Sequence, residues 1–308
     1  MSDISIAVLS GGISRERAVS LESGQAVTAA LKENYFVDLF ELNEMALPTN
    51  LDAERQVVFL TLHGTFGEDG EIQKMLEEKN YSYAGCDFKA SHLCINKKET
   101  KVRVAKSGIR VAEDFLAVAP GLPAANEVVA KLGSSVVVKP LCEGSSVGVS
   151  IAENEEVLGE QMAQLESGNW LFEQKIEGRE FSVGVLEGKG MGLVEILPKN
   201  GFYDYKHKYT EGMTEYRYPA ELDDSLEKEI REAAECVFEI CGCRDFIRVD
   251  FMTSDSGESY FLEINTLPGL TSTSLLRKSA SCLGYDFPQL AQRLVSPAIN
   301  RFYASRDN

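Results

Sequence analysis

Positive charge is scarce in this 308-residue chain: 31 Lys and Arg stand against 48 Asp and Glu, a formal net charge of −17. That balance opposes non-specific attraction to nucleic acid or an anionic membrane and favours solubility. Neither partner is expected, although a local basic pocket for a phosphate ligand is compatible with an acidic whole. Long apolar runs are missing too; none approaches the ~20 residues needed to span a bilayer. The seven cysteines are odd in number and irregularly spaced, and Cys241-Gly242-Cys243 is not a zinc-knuckle spacing. They read as free thiols in a reducing compartment, several of them small core residues. The chain has neither the GxxxxGK[ST] spacing of a P-loop nor a GxGxxG between a strand and a helix, so nucleotide binding by those two architectures is disfavoured. No internal repeat or low-complexity linker is present. The amino end, MSDISIAVLSGG, reads as a buried strand running into glycines and not as a signal peptide. A cytoplasmic location is the expectation.

What is present has the length for two or three compact units. The segment ISIAVL (4–9) ends at Gly11-Gly12 and leads into an amphipathic stretch from about Glu16 to Leu31: strand, tight turn, helix. Further strands are expected at 36–41 and 57–62, with a helix over 71–79. This alternation predicts an open parallel sheet in the first ~90 residues. Ligands collect beyond the carboxyl ends of such strands, so loops 10–17 and 63–70 are expected to bring Glu16, His63 and Glu68 to one crevice. Downstream, the pattern predicts a helix over 92–107 and a hairpin of 136–140 with 147–151. It then predicts a helix at 153–166, two short strands across 171–186 broken at Gly178, and a strand at 191–197. Helices are expected at 224–242 and 287–303. Residues 199–218 break the pattern, being dense in aromatics and cations without periodicity.

The chemistry concentrates on a hairpin of DFIRVDFM (245–252) and YFLEIN (260–265). Residues two apart on a strand share a face. Arg248 and Asp250 therefore oppose Ile247, Val249 and Phe251, while Glu263 and Asn265 oppose Leu262 and Ile264. Two carboxylates, an amide oxygen and a guanidinium line one surface, a set of oxygen ligands suited to Mg2+ bridging nucleotide phosphates. A solvated sheet face with a salt bridge gives the same pattern. The tip Glu-Gly-Ser-Ser-Val-Gly (143–148) lets backbone N–H groups approach an anion closely, and Lys139 adds a cation where that hairpin starts. Either feature alone is also read as a plain turn or a solvated strand end.

Together, Lys97, Lys139, the Gly/Ser hairpin, Glu-Gln-Lys-Ile at 173–176 and the acidic hairpin resemble the ATP-grasp fold. More narrowly, LSGGISRERAVS (9–20), LHGTFGEDG (62–70), VVKPLCEGSSVGVS (137–150), FYDYKHKY (202–209) and LEINTLPGLTSTSLL (262–276) resemble, in order and over essentially the whole length, the D-alanine–D-alanine ligase family. The resemblance implies an α/β (α+β) ATP-grasp architecture. Its parts are an N-terminal open parallel-sheet domain at 1–90, a central subdomain with the Gly/Ser loop at 91–175, and a C-terminal subdomain with a lid loop and magnesium site at 176–308. It implies ATP and two Mg2+ ions, with Mn2+ as an alternative, two D-alanine substrates and a homodimer.

By the same resemblance, Asp250, Glu263 and Asn265 hold metal, and Lys97 and Lys139 contact phosphates. Glu173 and Ile176 sit at the adenine edge, Glu180 and Ser146 complete the nucleotide set, and Lys208 reaches the transferred phosphate. Glu16 accepts the ammonium of the first D-alanine. Ser145 and Tyr209 act with Glu16 on the second amine, and Tyr209 stands where peptide-forming and depsipeptide-forming relatives part. Ser274 and the Leu275 N–H bind the second carboxylate at a helix start. Arg248 with the Gly269 N–H forms an oxyanion hole, and His63 tunes the network. The sequence departs from the pattern at Ala18, Cys142, Gln174 and Ile247. The rival expectations are another ATP-grasp carboxylate–amine ligase, which shares the metal face but not the amino-acid site, and a non-catalytic module retaining the fold.

Overall fold

The structure, a computed structural model, describes residues 4–144, 147–199 and 212–306. Four segments near the amino end, β1 (Ser5–Gly11), β2 (Phe36–Leu42), β3 (Gln56–Leu60) and β4 (Tyr83–Ala84), form a sheet of order β2-β1-β3-β4. Their pairings are all parallel, as the strand–helix alternation predicts. Ile6 to Leu9 and Val57 to Phe59 are fully buried, which is what central parallel strands covered on both faces require. Helices α1 (Arg17–Leu31) and α2 (Glu71–Glu78) follow β1 and β3. The loops leaving those adjacent strands consequently lie side by side at their carboxyl ends.

The helix expected over 92–107 is two helices, α3 (Phe88–Ile95) and α4 (Lys97–Lys106). Asn96 is extended between them, and its side-chain oxygen accepts the Glu99 N–H at 3.1 Å while its amide donates to Glu99 Oε1 at 2.9 Å. This reciprocal capping of an Asn-x-x-Glu sequence outweighs the continuous helical pattern. Lys97 thereby becomes the first residue of α4.

A second sheet, all antiparallel, is built from β5 (Asp114–Ala119), β6 (Val136–Pro140), β7 (Ser150–Ala152) and β8 (Gly168–Gln174), in the order β5-β8-β6-β7. Helices α5 (Ala125–Leu132) and α6 (Glu155–Met162) cover it, with Val128, Leu132 and Leu158 packed on Val136 and Val138. β5 and α5 have no counterpart in the sequence-based expectations. The third sheet, also antiparallel, comprises β9 (Gly178–Leu186), β10 (Lys189–Pro198), β11 (Thr214–Arg217), β12 (Phe246–Ser254) and β13 (Ser259–Asn265), in the order β11-β10-β9-β12-β13.

The break expected at Gly178 is a change of sheet: β8 and β9 are consecutive in the chain but belong to different sheets. A Cβ at Gly178 would lie 2.0 Å from the Thr253 carbonyl oxygen, and its φ of 148° is one that L side chains rarely adopt. Helices α7 (Asp224–Ile240), α8 (Leu275–Ser281) and α9 (Phe287–Ala304) complete the chain. α9 returns to the first sheet, where Leu290, Leu294 and Phe302 share a core with Ile6, Val8 and Phe59.

Candidate active site

Strand parity builds the acidic face. Ile247, Val249 and Phe251 have no exposure and pack into the core beneath the third sheet, so Arg248 and Asp250 take the opposite face. Across the hairpin Asp250 pairs with Glu263 and Arg248 with Asn265. Two carboxylates directly opposite one another repel, and three contacts offset this. Arg248 grips Asp250 with Nε to Oδ1 at 3.0 Å and Nη2 to Oδ2 at 2.8 Å. Ser182 of β9 donates to Oδ1 at 2.6 Å, and the Asn265 amide lies 3.4 Å from Oδ2.

One expectation here is corrected. Leu262 does not share the apolar side with Ile264, because the register shifts between Asp250 and Phe251, leaving Leu262 unpaired. Phe261 and Ile264 are the buried pair, and Leu262 faces the cleft beside Glu263. A bulge of this kind reverses the alternation at one residue.

The second and third sheets enclose a cleft of about 660 Å³ whose walls include Lys139, Glu173, Ile176, Glu180, Asp250 and Glu263. All six are residues expected at a nucleotide or its metal, and Gln174 lies in the same wall. Val137, Ile151, Ile196, Met252 and Leu262 supply apolar surface in that cleft. The Glu173 carboxylate is taken up by two lysines, with Oε1 2.6 Å from Lys101 Nζ and Oε2 2.5 Å from Lys139 Nζ. Burial pushes the Glu173 carboxyl up, but Lys139 and Lys101 outweigh it and hold it below the usual range. Glu173, expected at the adenine edge, lines the cleft with its carboxylate engaged by both lysines. Lys97 and Lys139 sit close enough to influence each other. Burial chiefly, and then Lys139, lowers the Lys97 ammonium, while Glu263 and Glu173 raise it. Lys97 Nζ donates to the Glu143 carbonyl in the Gly/Ser segment.

A narrower crevice continues from Lys97, Glu143 and Gly144 to Glu68, Glu263 and Asn265. Here the loops after β1 and β3 converge as expected. Glu16 occupies the N-cap position of α1 without a side-chain capping bond, at a helix start where the dipole favours a carboxylate. Gly144 lies directly against the carboxylate pair: a Cβ on it would be 3.0 Å from Glu68 Oε2 and 3.5 Å from Glu16 Oε2. Burial first, and then the Glu16 charge, pushes the Glu68 carboxyl up to about 8, although the Gly64 N–H donates to it at 2.9 Å.

His63 Nδ1 is 3.0 Å from the Leu267 carbonyl. A carbonyl only accepts, so Nδ1 carries the proton in this contact and Nε2 is left as a bare lone pair on the side of Gly269. Nε2 is buried and has no hydrogen-bond partner among the described residues. Burial lowers the His63 pKa, which keeps the ring neutral; Glu16 opposes the shift and Arg248 adds to it. Gly269 lies between His63 and Ser274, and Ser274 holds the N-cap position of α8 without a side-chain capping bond, its Oγ lying 3.0 Å from Thr271 Oγ1. Leu275, the first residue of α8, is buried.

Ser145, Ser146, Lys208 and Tyr209 lie outside the described residues. Sequence reading overlooked Lys101, Asp114 and Ser182. The first had a usable signal: Lys97 and Lys101 are four apart behind an Asn cap, on one face of a helix.

The chain matches the family described as D-ala D-ala ligase C-terminus over residues 108–296 and D-ala D-ala ligase N-terminus over residues 40–86. It is 42% identical over 299 residues to a D-alanine–D-alanine ligase of Anaeromyxobacter sp. (strain K), covering 95% of this chain and 96% of the relative. The crystal structure of D-alanine–D-alanine ligase from Bacillus anthracis superposes with a TM-score of 0.86 at 30% identity, covering 98% of this chain and 99% of that one. The same enzyme complexed with ATP gives 0.85 at 27%, with coverage of 98% and 99%. The two antiparallel sheets facing one cleft are the ATP-grasp arrangement expected from the motifs. With both family segments matched and 42% identity sustained over nearly the full length, the chain belongs to the D-alanine–D-alanine ligase family.

Proposed function

We propose that the protein joins two D-alanine molecules into D-alanyl-D-alanine with conversion of ATP to ADP and phosphate, supplying a peptidoglycan precursor. One observation carries this reading: a large cleft lined by Lys139 and apolar side chains shares Leu262 and Glu263 with a crevice lined by Lys97, Glu68, Gly144 and Asn265, beside the Asp250–Glu263 pair. A triphosphate tail and an amino acid brought to that junction are placed for phosphoryl transfer.

The base lies among Val137, Ile151, Met252 and Leu262, with Ile176 and Glu180 at its edge, and Lys97 and Lys139 take the phosphates. The donor set of Asp250, Glu263 and the Asn265 oxygen fits a hard divalent cation, since opposed carboxylates on a buried face call for positive charge between them. Bound there, Mg2+ or Mn2+ neutralises charge on the transferred phosphoryl group. Glu16 holds the ammonium of the first D-alanine, whose carboxylate oxygen attacks the γ-phosphorus as ADP leaves. Lys208 meets the transferred group.

The second D-alanine, its carboxylate at Ser274 and the Leu275 N–H, then attacks the acyl carbon through its neutral amine. Ser145 and Tyr209 act with Glu16 in that deprotonation, and His63 tunes the network through its open Nε2. Arg248 and the Gly269 N–H stabilise the tetrahedral oxyanion, which collapses with loss of phosphate. Ser146 belongs to the nucleotide set, and water must be kept from the acyl phosphate, which it would hydrolyse. Segments 1–90, 91–175 and 176–308 are the working units, and the enzyme acts as a cytoplasmic homodimer.

Phosphate release from ATP and Mg2+ with D-alanine, L-alanine or no amino acid tests the proposal. A signal confined to D-alanine is expected. Equal release with L-alanine or without an amino acid refutes it.

A further inference from the structure

Lys101 is 2% exposed, four residues after Lys97 on α4, and its ammonium has three N–H donors with three acceptors in place. These are Glu173 Oε1 at 2.6 Å, Asp114 Oδ2 at 2.7 Å and the Ala112 carbonyl at 2.9 Å. No donor is left for a ligand. Both carboxylates it holds have a second oxygen in use. Asp114 Oδ1 receives Lys98, whose side chain is 36% exposed, and Glu173 Oε2 receives Lys139 at 2.5 Å. The result is an unbroken file of alternating charge, Lys98–Asp114–Lys101–Glu173–Lys139, running from the surface of α4 through the second sheet to the cleft wall.

Counting the file gives three cations and two anions, a surplus of one positive charge. Every inner member is matched on both sides. The surplus is therefore available at the ends, and Lys139 is the end that lines the cleft. Lys139 has one carboxylate partner for three donors, which leaves it capacity for an anion.

We propose that Lys101 is a positioning residue for the nucleotide: by sharing Glu173 it keeps that carboxylate from neutralising Lys139 and fixes the Lys139 ammonium toward the phosphates. The inference rests on the cleft being the ATP site and goes beyond it in naming a residue that never touches the ligand. Without Lys101 the file holds two cations and two anions. Glu173 then belongs to Lys139 alone, and the surplus positive charge that the file delivers to the cleft wall is cancelled. Without the Asp114 charge the file holds three cations and one anion, and the field grows. Opposite signs from two neighbouring substitutions are what electrostatic positioning requires and what simple loss of packing does not give.

The test is calorimetric binding of Mg2+-ATP without D-alanine, with steady-state KM values for ATP and D-alanine measured alongside. Lys101→Met is expected to weaken ATP binding and raise its KM by about tenfold or more, the scale of one unit charge removed near a partly buried anion site, with the D-alanine KM within twofold. Asp114→Asn is expected to bind ATP as tightly as the unaltered enzyme or tighter. The double variant, again at a surplus of one, is expected to return toward the original affinity. Unchanged ATP affinity in Lys101→Met, or an equal rise in both KM values, overturns the proposal. Should Lys101→Met fail to fold, Asp114→Asn decides: weaker ATP binding overturns it, equal or tighter binding upholds it. An unaltered enzyme that does not bind Mg2+-ATP removes the ATP-site reading itself, and this inference with it.

Discussion

Replacing Arg248 by Ala separates the ion pair seen in the structure from the oxyanion role proposed for the same side chain. Arg248 holds Asp250 through two charge-assisted bonds, and the side chains are 11% and 6% exposed. Breaking such a pair from one side costs about 3–5 kcal/mol. Ser182 and Asn265 still bond to Asp250, so the lower end, about 3 kcal/mol, is the expected loss of stability, read from the urea midpoint without divalent cation. Turnover at saturating substrates is expected to fall by about 10²–10³ through loss of an oxyanion donor.

The two effects diverge in their response to Mg2+. Asp250, Glu263 and Arg248 together carry −1; without the guanidinium the face carries −2. The variant should therefore bind Mg2+ at least as tightly as the unaltered enzyme, and gain more thermal stability from it, while remaining slow. Arg248→Lys restores charge but not the two-pronged geometry and is expected to stay well below normal turnover. Near-normal turnover in Arg248→Ala, or a loss of turnover that tracks a loss of Mg2+ affinity, refutes the reasoning.

Glu68→Gln tests the buried carboxyl pair. Its pKa rises from an ordinary 4.5 to about 8 on folding, so between those values the folded state holds a proton that the unfolded state lacks. That contribution is complete below 4.5 and is lost as pH rises toward 8, with a slope of about 1.4 kcal/mol per pH unit. The Gln variant should flatten the urea midpoint across pH 5–8, and an unaltered slope counts against the assignment. Gly178→Ala should destabilise by at least about 3 kcal/mol, because the new Cβ would meet the Thr253 carbonyl at 2.0 Å in a left-handed backbone; an unshifted urea midpoint contradicts this. In Gly269→Ala the Cβ would lie 3.1 Å from Ser274 Oγ, so KM for D-alanine should rise about tenfold with little change for ATP, and equal effects on both substrates sink that placement. If Tyr209 selects an amine as second substrate, competition at neutral pH should incorporate D-alanine over D-lactate, and preferential D-lactate incorporation would falsify it.

The parallel first sheet, the face shared by Arg248 and Asp250 with Ile247, Val249 and Phe251 behind them, and the meeting of Glu16, His63 and Glu68 were all legible in the sequence. Each follows from a local period of two or from strand–turn–helix alternation, set by backbone geometry at neighbouring residues. The Asn96 break was written there as well, in an Asn-x-x-Glu cap that apolar periodicity obscured. Tertiary structure alone decided the rest. Leu262 turned toward the cleft because a bulge between two strands reset its parity, and Lys101 joined the ion pairs behind the cleft wall only because α4 packs where β5 and β8 place Asp114 and Glu173. The cleft itself exists because consecutive strands β8 and β9 enter different sheets. Side-chain direction is fixed residue by residue, whereas which charges become neighbours depends on contacts between segments tens of residues apart, and burial then decides their strength.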